Sequence, residues 1–250
     1  MKIIGYSSKT SFFYKRNRDD FPNWRLQYLY NCTSTENILD KYLSTYRFSK
    51  NNPIAIFSKK QTSGVGQYGR KWLSPKGGLW FSALYPVFSA NFLPKIFPVS
   101  LSYKLCEMLL NESVQANIKW PNDILYGSKK LIGFLPKVIT RGNKTLYVRI
   151  GFGMNLNNKT PEEGISLSEI LNKKELCEHY WASEILKVIC DSIRYNNQRE
   201  LMIAGGNKFL NKKILPKNHS EKDWAIQKID LQGNLKIFNK KNEYKIIKFI

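Results

Sequence analysis

At 250 residues, 42% hydrophobic and 14% aromatic, the chain can bury one good-sized core plus a small appendage and is too apolar to be disordered. No apolar run approaches the roughly 20 residues of a membrane helix, the first residues lack a secretory leader's apolar core, and Cys32, Cys106, Cys177 and Cys190 are not spaced for zinc or a redox dithiol, so a reducing cytoplasm is the expected compartment. Forty Lys and Arg against 19 Asp and Glu leave a net charge of +21, which suits a nucleic-acid partner and equally suits the Lys-, Asn-, Ile- and Tyr-rich usage of an AT-biased genome.

In chain order, a helix is predicted from Thr35, as cap, through Ile38, Leu39, Tyr42 and Leu43 on one face. Pro53 to Ser58 reads as a strand and Gly78 to Pro86 as another, with Leu79, Phe81, Ala83 and Tyr85 alternating. A helical stripe follows in 94–111 through Phe97, Leu101, Leu105, Met108 and Leu109. A β-meander is predicted over 116–120, 123–126, 130–139 and 144–153, with Gly127-Ser128 and Arg141-Gly142-Asn143 as turns. Helices over 166–199 present Trp181, Ile185, Leu186, Ile189 and Ile193 on one face. After Ala204-Gly205-Gly206 the pattern changes to short strands at 209–214, 224–229, 235–238 and 244–250. The expected fold class is α+β: a mixed, largely antiparallel sheet flanked by helices over 1–204, with a small β-barrel-like domain over 205–250.

Two stretches carry chemistry. Gln61-Thr62-Ser63-Gly64-Val65-Gly66-Gln67-Tyr68-Gly69-Arg70-Lys71-Trp72 places three glycines before two cations and an indole, a composition suited to a mobile loop around a small anion. No carboxylate occurs between Asp40 and Glu107 while ten Lys and Arg do. Positive potential therefore concentrates around that loop, and a carboxylate-built metal cage is excluded from this part of the chain. The second stretch, Lys119-Trp120-Pro121-Asn122-Asp123, holds one lysine beside a backbone restricted by proline. Alone, it reads as an edge-strand lysine before a turn.

Together these stretches resemble the biotin protein ligases. The loop from Gly64 to Trp72 is similar to that family's adenylate-binding loop, and Lys119 to Asp123 to its catalytic strand. Thr33-Ser34-Thr35, Lys130-Leu131-Ile132-Gly133, Gly151-Phe152-Gly153-Met154-Asn155 and Ser166-Leu167-Ser168-Glu169 stand at matching places, so the resemblance runs from about residue 31 to the end. It implies ATP-dependent attachment of biotin to a lysine of a biotin carboxyl carrier protein through biotinyl-AMP. It further implies catalytic roles for Lys119 and Arg70. Biotin contacts are implied for Ser34, Thr35, Glu36, Gln61, Gly64, Val65, Gly66, Gln67, Lys119 and Gly133. ATP contacts are implied for Arg70, Trp72, Lys119, Asn122 and Asn155. Mg²⁺ is implied by the ATP chemistry, with no ligand set visible. The histidines, His179 and His219, fit no catalytic pattern.

Relatives that also repress transcription carry an N-terminal winged helix. Only about thirty residues precede the first motif here, so no specific DNA binding and no membrane partner are expected, and a homodimer is a possible assembly. Many relatives read Gly-Arg-Gly-Arg-Arg-Gly-Arg in the loop, where this chain has Val65, Gln67 and Tyr68 at the earlier arginine positions. Two rival readings remain. A lipoate or octanoate ligase shares the fold, though its Arg-x-x-Gly-Gly-Gly run is absent. A non-enzymatic basic nucleic-acid-binding module accounts for the charge but not for the two motifs.

Overall fold

The computed structural model describes residues 7–15, 22–45, 52–142, 144–216, 224–241 and 243–248. The elements in order are α1 (Ser7–Lys15), β1 (Arg25–Leu29), α2 (Thr35–Thr45), β2 (Ile54–Ser58), β3 (Gln61–Val65), β4 (Lys71–Ser74), β5 (Leu79–Pro86), α3 (Phe97–Asn111), β6 (Asn117–Lys119), β7 (Asp123–Tyr126), β8 (Lys129–Arg141), β9 (Lys144–Met154), α4 (Leu167–Ile170), α5 (Glu178–Arg194), α6 (Arg199–Phe209), β10 (Trp224–Ile229), β11 (Leu235–Asn239) and β12 (Tyr244–Ile247). Seven strands form one sheet in the order β1-β2-β5-β9-β8-β7-β6, and only the β1–β2 pairing is parallel. The expected mixed, largely antiparallel sheet flanked by helices is the observed one.

The side-chain alternation of β9 explains the layering. Val148, Ile150, Phe152 and Met154 are buried in the main core with Leu101 and Leu105 of α3 and Ile185 and Ile189 of α5. Tyr147, Arg149, Gly151 and Gly153 point to the opposite face. There a smaller core, Leu39 with Ile54, Ile56 and Leu84, seats α2. The main core contains an aromatic row in strand register: Tyr28 opposite Phe57, Phe57 opposite Phe81, and Phe81 opposite Phe152. Several elements were not predicted from the sequence: α1, β1, the β3–β4 pair where a loop was expected, and α6. α1 packs on α5, where the Tyr14 hydroxyl meets Cys190 Sγ at 3.4 Å, and β1 completes the sheet edge.

The Gly205-Gly206 pair does not end a helix. A Cβ at Gly205 would meet the Tyr103 ring at 2.6 Å, and one at Gly206 would meet Val99 at 2.5 Å. The glycines let α6 press against α3, and α6 continues to Phe209. The expected boundary after 204 falls inside that helix. The strand predicted over 209–214 is instead a helix end and a bridge from Leu210 to Ile118, followed by irregular chain. The three C-terminal strands form a separate antiparallel sheet. Residues 249–250 of the last predicted strand, His219, and Asn143 of one turn lie outside the described residues.

This small sheet is not independent of the large one. Ile226, Ile229, Leu235 and Ile237 share a core with Val99, Trp120, Met202 and Ile203. Trp120, next to Lys119, donates its indole N–H to the Gly233 carbonyl at 3.0 Å. Trp120→Phe keeps a six-membered ring but loses the indole N–H with its pyrrole ring and leaves that acceptor unpaired, so urea unfolding should show a loss of at least about 1–3 kcal/mol. An unchanged midpoint would mean that the tie carries no net stability.

Candidate functional site

On the α2 side of the sheet lies a cavity of about 410 Å³. Strand register sets out its floor. Ser82 faces Gly151, Gly153 faces Gly133, Gly133 faces Asp123, and Asp123 faces Lys119. Directly opposed residues share a face, so these groups belong to one surface. Ser82 and Asp123 stand three strands apart, roughly 14 Å at about 4.8 Å per strand. Glycine is required in the middle. A Cβ at Gly153 would lie 2.8 Å from the Trp72 indole, and one at Gly133 would lie 2.7 Å from Lys130 Cε.

One end is polar. Ser34, rather than Thr35, caps α2: its Oγ accepts from Glu36 N at 3.3 Å. Thr35 is thereby free to donate both its amide N–H, at 2.8 Å, and its hydroxyl, at 3.1 Å, to Gln61 Oε1. With its own proton so committed, Thr35 Oγ1 accepts from Ser82 at 2.8 Å, while Gln61 Nε2 donates to Ser74 Oγ at 2.8 Å. The four side chains hold one another in place at this end.

The glycine-rich stretch forms a hairpin over the cavity. β3 and β4 pair with Gly64 opposite Trp72, where a Cβ on residue 64 would meet the Trp72 carbonyl at 2.6 Å. A 3-10 turn, Gln67–Gly69, makes the tip, with Tyr68 at φ 58°. Gly66 N–H donates to the Arg70 carbonyl at 2.6 Å, and the exposed Arg70 guanidinium lies 5.7 Å from the Tyr68 ring centre. Val65, Gly66, Gln67, Arg70 and Trp72 all line the cavity from this hairpin.

The far end is cationic around one carboxylate. Lys130 Nζ lies 2.5 Å from Asp123 Oδ1 and 4.4 Å from the Trp72 ring centre. Lys119 Nζ lies 3.9 Å from Asp123 Oδ2. Burial pushes the Lys130 ammonium below its ordinary pKa against the opposing pull of Asp123, and the charges of Lys119 and Arg70 push the same way as burial. Such a cluster suits an anion carrying more than one charge, which would relieve the repulsion among the cations.

Of the residues singled out in the sequence, Ser34, Thr35, Glu36, Gln61, Val65, Gly66, Gln67, Arg70, Trp72, Asn122 and Gly133 line this cavity. Gly64 sits within the hairpin, buried opposite Trp72, and does not line the cavity. Lys119 does not line the cavity; register carries it to the end of the floor row, within reach of Asp123. Asn122 is buried, donating Nδ2 to the Phe134 carbonyl at 2.5 Å. Asn155 donates Nδ2 to the Lys130 carbonyl at 3.1 Å and borders a second cavity of about 480 Å³ beyond Trp72, with Lys71 and Lys159. His179 sits in α5, hydrogen-bonded to Thr10 at 2.9 Å, away from the cavity. Sequence reasoning assigned no role to Asp123, Lys130, Gly151 or Gly153. All four lie inside the recognised motifs, but only strand pairing puts them on one surface.

The polar end, glycine floor, overlying glycine-rich hairpin and cationic end define a small-molecule-binding enzyme domain whose cavity suits an elongated ligand with a charged terminus. The family model of the biotin/lipoate A/B protein ligase family matches residues 28–155, about half of the chain. The chain belongs to that family. It is 31% identical over 117 residues to the bifunctional ligase/repressor BirA of Bacillus spizizenii, covering 46% of this chain and 36% of that protein. It is 30% identical over 179 residues to biotin–protein ligase 2 of Arabidopsis thaliana, covering 62% and 54%. Thus it spans about a third to a half of these relatives' lengths. In fold it is similar to the biotin protein ligase from Aquifex aeolicus in complex with biotin and ATP, with a TM-score of 0.65, 24% identity, and 90% and 96% of the two chains covered.

Proposed function

We propose that the chain is a biotin protein ligase that joins biotin to a lysine of a biotin carboxyl carrier protein in two steps. The biotin carboxylate attacks the α-phosphorus of ATP and pyrophosphate leaves, giving biotinyl-AMP. The carrier amine then attacks the acyl carbon, and AMP leaves with the electron pair of the anhydride bond. One observation carries this reading: a single cavity whose ends, about 14 Å apart by strand spacing, are a hydroxyl-and-amide cluster and a cationic cluster. A ureido ring has N–H and C=O groups that need partners when buried, and the valeryl carboxylate at its other end needs cations. An apolar dithiolane ring uses the first end poorly, which favours biotin over lipoate.

Lys119 and Lys130 are the groups that would meet charge as it moves from carboxylate to phosphate, while Arg70 and Trp72 would approach the nucleotide from the hairpin. Asn122 holds the Lys119 turn, and Asn155 borders the second cavity, a place for the adenosine moiety. The residues at the site do not fit a protein-built Mg²⁺ cage: Asp123 is engaged by Lys130 and Lys119, and no group of three or more His, Cys, Asp or Glu is placed to hold a metal among the described residues. A divalent ion would arrive on the nucleotide phosphates. No helix among the described residues is long and apolar enough to cross a membrane, and a cytoplasmic location accords with four free cysteines.

The test is the intact mass of a carrier domain after incubation with ATP, Mg²⁺ and biotin or lipoate. One added biotin supports the reading; addition of lipoate instead supports the related ligase, and an unchanged carrier under saturating substrates rejects both.

Gln67 makes a finer prediction. It lines the cavity from the hairpin tip, where many relatives resemble one another in carrying arginine. A charge-assisted hydrogen bond exceeds a neutral one by roughly 1 kcal/mol, about fivefold in retention of an anionic intermediate. Gln67→Arg should therefore slow biotinyl-AMP release about fivefold by stopped flow, with less labelling of bystander lysines. Equal rates would mean that the hairpin backbone, not side-chain charge, retains the adenylate.

A further inference from the structure

The geometry points to Arg149 as a positioning residue that clamps the first turn of α2 to β9 and so sets the affinity of the cavity for biotin. Arg149 stands on β9 two residues before Gly151, on the face that carries the cavity floor. Its side chain is only 9% exposed. Nη2 donates to Glu36 Oε2 at 2.7 Å and to the Glu36 backbone carbonyl at 2.9 Å, while Nη1 is paired with the Asp40 carboxylate. One guanidinium thus grips two carboxylates one helical turn apart and the main chain between them, a fork that a lysine cannot reproduce.

The grip falls at the N-terminal end of α2, beside the cavity. Its apolar contacts with the sheet come from Ile38, Leu39, Tyr42 and Leu43, none of them Thr35 or Glu36. The first turn carries Thr35 and Glu36, which are the cavity wall. Glu36 lies so close over the floor that a Cβ at Gly151 would be 3.2 Å from Oε1. Neither Glu36 Oε1 nor Arg149 Nε has a hydrogen-bond partner among the described residues although both atoms are buried. Unpaired buried polar atoms are unfavourable in a purely structural tie, and an apolar pair at these positions would seat the helix without them. The cluster is better explained by what it holds: Thr35 and Glu36 at a set distance from Gly151, at the end of the cavity remote from Lys119.

The inference rests on the biotin ligase reading and predicts a selective effect. Biotin titration calorimetry and biotin-dependent pyrophosphate exchange would be measured on the wild type, Arg149→Met, Arg149→Lys and Asp40→Ala. Arg149→Met should raise the biotin Kd and KM about tenfold, with KM for ATP and kcat changed less than about twofold, because lost ground-state positioning appears in the KM of the ligand concerned. Arg149→Lys, which keeps the charge but reaches one carboxylate, should recover part of that loss. Asp40 does not line the cavity and its side chain is 62% exposed, so Asp40→Ala leaves the wall itself intact and tests the clamp if Arg149→Met does not fold; about a threefold rise in biotin KM alone is expected. Unchanged biotin KM in Asp40→Ala and in a folded Arg149→Met overturns the clamp. So does an equal rise for biotin and ATP with a fall in kcat, the mark of general loosening. A wild type without biotin-dependent exchange would instead remove the ligase reading, and the clamp with it.

Discussion

Lys119→Ala should lower biotin-dependent pyrophosphate exchange by about 10²–10³ while leaving the circular dichroism spectrum and unfolding midpoint unchanged, since removal of one group that stabilises developing charge commonly has that effect. Lys119 closes the floor row beside Asp123. Its ammonium is 3.9 Å from Asp123 Oδ2, while Lys130 holds Oδ1 at 2.5 Å. The variant therefore leaves Asp123 paired, and no orphaned carboxylate confuses the result. The two lysines are not equivalent. Lys130 is tied to Asp123 and lies over the Trp72 ring, whereas Lys119 stands farther from Asp123, at 3.9 Å, and on the proposed mechanism would follow charge between oxygens as a compact ammonium can. Near-normal exchange by Lys119→Ala would assign the phosphate role to Lys130 and leave Lys119 as an edge-strand residue.

Phe81→Ala should have the largest effect on stability, a loss of roughly 3–5 kcal/mol. Phe81 is 1% exposed and occupies the middle of the aromatic row. Its ring centre is 4.7 Å from that of Phe57 and 4.8 Å from that of Phe152, and Phe57 stacks on Tyr28 at 4.6 Å. The row crosses four adjacent strands, so the surrounding side chains are pinned by β-sheet pairing and cannot readily collapse into the void. In urea the midpoint should fall by about 1 M or more. A loss below about 1 kcal/mol would mean that the row repacks, contrary to a close-packed core.

Much of the fold was legible because its signals are local. Leu79, Phe81 and Ala83 alternate as a strand requires, and the Trp181 to Ile193 stripe in α5 follows helical spacing; both are buried as expected. α1 and β1 were not legible, since Ser7–Lys15 has only a weak apolar stripe and gains its place by packing on α5. Gly205-Gly206 misled for a definite reason. Glycine pairs usually mark a break, and here they mark close helix contact, which depends on where Tyr103 and Val99 of α3 lie.

The sequence by itself determined the family resemblance, the mixed sheet with its helices, the glycine-rich stretch bearing Val65, Gly66, Gln67, Arg70 and Trp72, and the lysine strand, because motifs and periodicities are properties of neighbouring residues; that the glycine-rich stretch pairs as a hairpin, where a loop was expected, came from the structure. Only the tertiary structure decided which of those residues share a surface. Gly153, Gly133, Asp123 and Lys119 come from four strands, and their alignment follows from pairing register, which a one-residue slip would send to the opposite face. Likewise Arg149 and its partners Glu36 and Asp40 lie more than a hundred residues apart in the chain. Their ion cluster exists because α2 folds back onto β9, and no spacing rule along the chain contains that distance.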